Sequence, residues 1–199
     1  MHNCIFSGHC TQMMCDKSCP TLVESSYLLE RNGISMSSEV FHKGPDAAAE
    51  CCKILDEAEG NIVTVVSKSS TVAAADMLTY CSICQNWKGS RLHCTVYNLK
   101  YSQYLDAIKK SWSTNGESEK LEYMRIWAES AKVLIISNLD YINFKDFECQ
   151  NLLTLLQSRD SNELTTIVVA PPLGQLVGNS LFFHRLISTL GGKAVKIEL

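Results

Sequence analysis

Ile62-Val63-Thr64-Val65-Val66-Ser67-Lys68-Ser69-Ser70-Thr71-Val72-Ala73-Ala74-Ala75-Asp76 is the stretch on which the fold turns. Its first five residues are all β-branched, which suits a short strand buried on both faces. From Val72 a helix-like run continues to about Gln85. Outward from this unit the same alternation repeats. The pattern predicts a strand over 92–97, helices near 102–111 and 118–130, an apolar strand over 132–136 and a helix over 144–158. A strand over 164–169 then stops at Pro171-Pro172, a helix follows over 182–190, and the last strand runs over 194–199. Short apolar strands alternating with helices predict an α/β fold: a mostly parallel sheet with helices on both faces.

In such a sheet the connection after the first strand is where a phosphate would sit, cradled by backbone N–H groups at a helix N-terminus. A phosphate loop of the form G-x-x-x-x-G-K-[ST] needs glycines for close backbone approach, a lysine for the β and γ phosphates and a hydroxyl for Mg²⁺. Residues 67–76 contain no glycine. Lys68 precedes the helix, and alanines stand where the lysine and hydroxyl belong. Lys68, Ser69, Ser70 and Thr71 therefore form a degenerate nucleotide loop whose hydroxyls are suited to capping the helix. The strand over 132–136 leads into Ser137 and Asn138, where a Mg²⁺-holding enzyme has an acidic pair. Both are uncharged, and Asp140 comes two residues late. Two elements of metal-nucleotide chemistry are missing together, so the sequence predicts a domain that keeps the shape without ATP hydrolysis, and without ATP as a cofactor.

The N-terminus has a different character. Cys4, Cys10, Cys15 and Cys19 crowd a segment too short and polar to order itself by burial. Four thiolates closing on one zinc ion would order it, at about 2.3 Å each, as a structural site with no open position for catalysis. The spacings differ from paired C-x2-C knuckles, and a disulfide framework is the rival reading. No basic, apolar and small-residue succession marks a secretory leader, which favours zinc and a cytoplasmic location. His2 and His9 are alternative ligands. A helix over 21–30 follows, stopped by Asn32-Gly33, and the serine-rich stretch 35–45 reads as a linker. The predicted organisation is a cysteine-rich module with its helix over 1–34, a linker over 35–45 and an α/β domain over 46–199, whose first helix runs over 46–59 with Asp46 as its cap.

At 199 residues and a formal charge of −3, the chain can bury one good core and lacks the basic footprint of a protein that grips nucleic acid unaided. No apolar run approaches the length of a membrane span. A protein partner fits better. Cys81 and Cys84 have redox spacing but fall near a helix end, where the dipole disfavours a thiolate, and read as core residues. Cys51 and Cys52 point to different sides of their helix, so one at most faces the core. His42, His93 and His184 have no partner at metal or triad spacing. Lys100, Tyr101, Tyr104, Lys109, Lys110 and Trp112 form a weak basic and aromatic patch that reads first as an amphipathic helix with a solvated basic side.

The chain as a whole resembles the small AAA+ proteins of Gram-positive bacteria and their phages that are similar to loaders of the replicative helicase. The cysteine cluster and the following residues 27–34 carry most of the likeness. Residues 62–68 fall where that family has its first strand and phosphate loop, and 133–138 where it has its acidic strand end. Arg185, in His184-Arg185-Leu186, falls near the arginine that the family presents to a neighbouring subunit's nucleotide. The resemblance implies DNA replication and contact with a helicase. The four cysteines match, whereas the lysine-serine of the phosphate loop and the acidic pair do not. The expectation is an ATPase-deficient adaptor that docks a replicative helicase, or an active AAA+ subunit, through its zinc module. A divergent nucleotide-binding loader using residues 68–71, and an inhibitor of the helicase carried by a mobile element, are the alternatives.

Overall fold

The computed structural model describes residues 27–34, 45–68, 70–88, 96–114, 118–192 and 194–197. Cys4, Cys10, Cys15, Cys19 and Ser69 lie outside these residues, as does the predicted linker apart from Pro45. Helical residues 27–31 form α1. Gly33 ends it at φ 72°, where the amide N–H groups of Gly33 and Ile34 reach back to Glu30 and Leu29 carbonyls at 2.9 Å. That left-handed cap is the stop the Asn32-Gly33 pair predicts.

Among the described residues the remaining α-helices are α2 (Pro45–Glu57), α3 (Thr71–Lys88), α4 (Tyr101–Thr114), α5 (Glu119–Ser130), α6 (Asp146–Ser161) and α7 (Leu181–Gly191). They alternate with β1 (Ile62–Ser67), β2 (Val96–Lys100), β3 (Val133–Ser137), β5 (Thr165–Ala170) and β7 (Ala194–Ile197), while β4 (Asn143–Phe144) and β6 (Val177–Gly178) form a separate parallel pair. Pro45 rather than Asp46 opens α2, as suits a residue with no N–H to leave unpaired. Asp46 falls within the first turn.

The five larger strands lie in the order β2-β3-β5-β1-β7, and every neighbouring pair is parallel. β1, β3 and β5 are buried along their whole lengths, as β-branched strands covered on both faces must be. Alternate residues divide between two cores. Val63, Val65, Ile135, Ile167 and Val169 pack with Leu29, Ile54, Leu55 and Leu78, so α1, α2 and α3 cover one face. Leu134, Ile136 and Val168 pack with Leu121, Met124, Leu152, Leu156 and Leu186 from α5, α6 and α7 on the other. Truncating a fully buried residue such as Leu134 or Leu152 to alanine removes about 2–5 kcal/mol. The segment 27–34 thus belongs to the same core as the sheet.

Arg159 is also wholly buried. Its guanidinium donates to the Thr166 hydroxyl at 2.7 Å and to the carbonyls of Thr165 at 2.7 Å, Ala128 at 2.9 Å and Glu129 at 3.3 Å. It joins α6, the C-terminal turn of α5 and the start of β5. Burial lowers its pKa to about 10, which leaves it charged at neutral pH, facing the negative end of α5.

Candidate functional site

The register that pairs Val66 with Ala170 and Ile136 with Val168 brings the C-terminal ends of β1, β3 and β5 together. A cleft of about 190 Å³ opens there, lined by Ser67, Lys68, Ser70, Thr71, Asp140, Tyr141, Pro171, Pro172 and Gln175 among others. Its position is the one where doubly wound sheets hold ligands. Its volume falls below the ~300–1,000 Å³ usual for a small-molecule site.

The connection from β1 to α3 takes only residues 68–70. The Ser67 hydroxyl donates to the Ser70 carbonyl at 3.3 Å, and the Ser70 Oγ accepts the Ala73 N–H at 3.2 Å. Ser70 therefore caps α3, as the sequence suggests, and the turn is closed by its own side chains. Lys68 is exposed and contributes to the cleft. Thr71 is 5 % exposed, and its hydroxyl donates to Asp140 Oδ1 at 3.2 Å. In sequence, Asp140 comes two residues too late for the acidic pair. The structure adds a bond from its turn after β3 to the first residue of α3.

At the end of β3, Ser137 is buried and its hydroxyl donates to Asn98 Oδ1 at 3.3 Å, sideways toward β2. Asn138 takes φ 61°, a left-handed conformation that asparagine tolerates better than most residues, and its Oδ1 is buried with no hydrogen-bond partner among the described residues. This bend leads into a turn closed by Ile142 N–H on the Leu139 carbonyl at 3.2 Å, with Asp140 and Tyr141 at its tip.

Asn98 extends the network in two directions missed from the sequence. Its Nδ2 donates to Asp76 Oδ1 at 3.2 Å, and its backbone N–H donates to Asn32 Oδ1 at 2.7 Å. Burial pushes the Asp76 carboxyl above the ordinary range, against the lowering effects of Lys100 and the Asn98 hydrogen bond. The Asn32 amide also donates to the Val96 carbonyl at 3.4 Å, so it occupies two backbone groups on the outer side of edge strand β2. Arg31 adds a bond to the same carbonyl at 3.3 Å and stacks 4.4 Å over the Trp127 ring. Partners 22 and 66 residues away from Asn98 leave no local pattern to read.

Arg185 is exposed on α7, outside the lining of its own chain's cleft, with no ion pair among the described residues. Cys51 and Cys81 are buried, and Cys52 only partly so. Hydrogen bonds with Cys51 and Cys52, then burial, raise the Cys81 thiol far above its usual range, opposite to the shift of a reactive thiolate. In the basic and aromatic patch, Tyr101 and Tyr104 are buried, Lys109 pairs with Glu148 at 2.8 Å, and Trp112 packs against Phe147 with ring centroids 4.9 Å apart. Its two tyrosines are core residues and cannot offer ring faces for stacking.

No family model matches the chain, and no curated protein matches it in sequence. Solved structures do share its fold. AMPPCP-bound DnaA from Aquifex aeolicus superposes with a TM-score of 0.57 at 17% identity, over 87% of this chain and 50% of that one. Domain III of the Thermotoga maritima replication initiation protein DnaA gives 0.56 at 17% identity, over 81% of this chain and 65% of that one. The DnaC helicase loader gives 0.50 at 10% identity, over 87% and 98%. The chain spans about half the length of the first DnaA structures it matches. At these identities the likeness is one of fold: the mostly parallel sheet with flanking helices is shared with DnaA and with the DnaC helicase loader. Among the described residues, no helix is long and apolar enough to cross a membrane.

Proposed function

We infer that this chain is a non-catalytic adaptor in DNA replication, an AAA+-like domain that works without hydrolysing ATP and docks a replicative helicase or an active AAA+ subunit. The observation that carries this reading is the β1–α3 connection. Three residues without glycine join strand to helix, Ser70 caps the first turn and Thr71 is bonded to Asp140, in the place where a nucleotide's phosphates would need open backbone N–H groups. The uncharged Ser137 and Asn138 support it further, since neither supplies the negative charge that holds Mg²⁺ in phosphoryl-transfer sites. The fold shared with DnaA and DnaC is the ground for placing the adaptor in replication initiation or helicase loading.

In this reading Cys4, Cys10, Cys15 and Cys19 hold a structural zinc ion, and the resulting module supplies the docking surface. Arg185, exposed and outside the lining of its own chain's cleft, acts in trans on the nucleotide of an active neighbour as an arginine finger does. The experiment is the partner's ATPase rate with wild-type protein and with Arg185→Ala. A partner whose rate responds to wild type and loses that response with the variant supports the arrangement, and identical rates with both proteins reject the arginine's role.

A second reading rests on the placement of Lys68, Ser70 and Thr71 along one cleft, which would suit a divergent nucleotide-binding loader. Lys68→Ala discriminates the two. Loss of measurable nucleotide binding supports the loader, whereas no binding by either protein supports the adaptor.

A further inference from the structure

We propose that the Asp140 carboxylate is a built-in stand-in for the nucleotide phosphate, an internal contact that keeps the domain in one state with no ligand. The proposal rests on the reading that the cleft holds no nucleotide. α3 is 18 residues long and its N-terminus carries the positive end of the helix macrodipole, which in nucleotide-binding sheets is met by a phosphate. Here the chain's own β3 exit turn brings a carboxylate to the side chain of the helix's first residue. Asp140 Oδ1 accepts the hydroxyl hydrogen of Thr71, the first residue of α3, at 3.2 Å, and both residues line the cleft.

The backbone around Asp140 is arranged to place it there. Asn138 bends the chain into the left-handed region at φ 61° and leaves its own Oδ1 buried without a partner among the described residues, both unfavourable locally. Leu139 and Ile142 are buried on either side of the turn tip and pin it, and the Ile142 N–H closes it on the Leu139 carbonyl. A turn meant only to leave β3 needs neither the left-handed residue nor the orphaned oxygen. The bend makes sense if the position of the carboxylate is what it secures. A domain so occupied does not switch with nucleotide state, and it presents a constant surface to its partner.

The test is thermal unfolding of the full chain in chloride and in millimolar inorganic phosphate at matched ionic strength, for wild type, Asp140→Ala and Asp140→Asn. Wild type should melt at the same temperature in both salts. Asp140→Ala should melt about 2–4 °C lower in chloride, the shift expected when one such contact is lost in a chain of this size, and phosphate should restore at least half of the loss. Asp140→Asn keeps the side chain's shape without its charge and should show the same phosphate response, which keeps the test open if the alanine variant fails to fold. Variants that melt with wild type, or that ignore phosphate, overturn the proposal. Mg²⁺-ATP added to wild type separates this failure from failure of the adaptor reading. A raised melting temperature there contradicts the reading itself, whereas an ATP-blind wild type with phosphate-blind variants contradicts only the role of Asp140.

Discussion

Ser70 Oγ accepts the backbone N–H of Ala73 at 3.2 Å, so the helix whose start defines the cleft is capped by the residue immediately before it. One of the N–H groups that a bound phosphate would need is thereby occupied from within. Replacing Ser70 by alanine should destabilise the domain by about 1 kcal/mol, and by glycine only a few tenths, as expected of an N-cap. Chemical denaturation of the three proteins checks the order. Equal stability of wild type and Ser70→Ala would mean that the cap contributes nothing.

Arg159 makes a larger contribution. Its guanidinium serves three carbonyls and one hydroxyl in the interior, with no carboxylate paired to it among the described residues. Arg159→Met keeps the apolar volume but strands buried acceptors on two elements, so it should cost about 3–5 kcal/mol. Arg159→Lys should recover only part, because one ammonium cannot reproduce the planar fork. Urea unfolding midpoints at constant slope measure both.

The pair Lys109–Glu148 predicts a dependence on acid. Burial alone would raise the Glu148 carboxyl, but the Lys109 ammonium and backbone N–H groups, among them that of Lys145 at 3.2 Å, hold it below the usual range. A carboxyl with a depressed folded pKa stabilises the fold above its unfolded value, near 4.3, and loses that contribution as pH falls through the folded value. Lys109 is half exposed, so Lys109→Ala should cost only about 1 kcal/mol at pH 7. The gap from wild type should close as pH falls below the ordinary carboxylate range, when Glu148 is protonated in both proteins. A gap independent of pH would assign the loss to packing alone.

Gly178 and Gly174 form a matched pair on the segment after β5. A Cβ at Gly178 would lie 2.5 Å from Phe183 Cδ2 and 2.8 Å from the Phe144 carbonyl oxygen, whereas one at Gly174 meets nothing within 4 Å. Gly178→Ala should therefore destabilise by about 1–3 kcal/mol and loosen the β4–β6 pair, and Gly174→Ala should stay within about 0.5 kcal/mol of wild type. Amide exchange at Phe144 and Val177, together with melting temperatures, reads both effects.

β1, β3 and β5 could be read from sequence because each is a largely apolar or β-branched run covered on both faces, as at 62–67 and 133–137, whereas β2, expected over 92–97, is described at Val96–Lys100, where Asn98 and Lys100 interrupt the apolar pattern. The serine cap of α3 could be read too, since Ser70 lies next to the helix it serves. The two-residue strands β4 and β6 could not, being too short for any period to develop. The bond from Thr71 to Asp140 was hidden for another reason: it depends on the left-handed turn at Asn138, a backbone conformation that composition does not specify. Tyr101 and Tyr104 follow the amphipathic-helix reading rather than that of a basic and aromatic patch: both are buried on α4, and Tyr101 donates to the Glu148 carbonyl at 2.9 Å.

The central claim is that this α/β domain works without nucleotide, and a native mass spectrum of the full chain with and without Mg²⁺-ATP tests it most directly. The account predicts one zinc ion per chain, no nucleotide adduct and an oligomeric state that ATP does not change. A nucleotide adduct abolished by Lys68→Ala, with oligomers that form only in ATP, would contradict it and make the chain a nucleotide-binding loader.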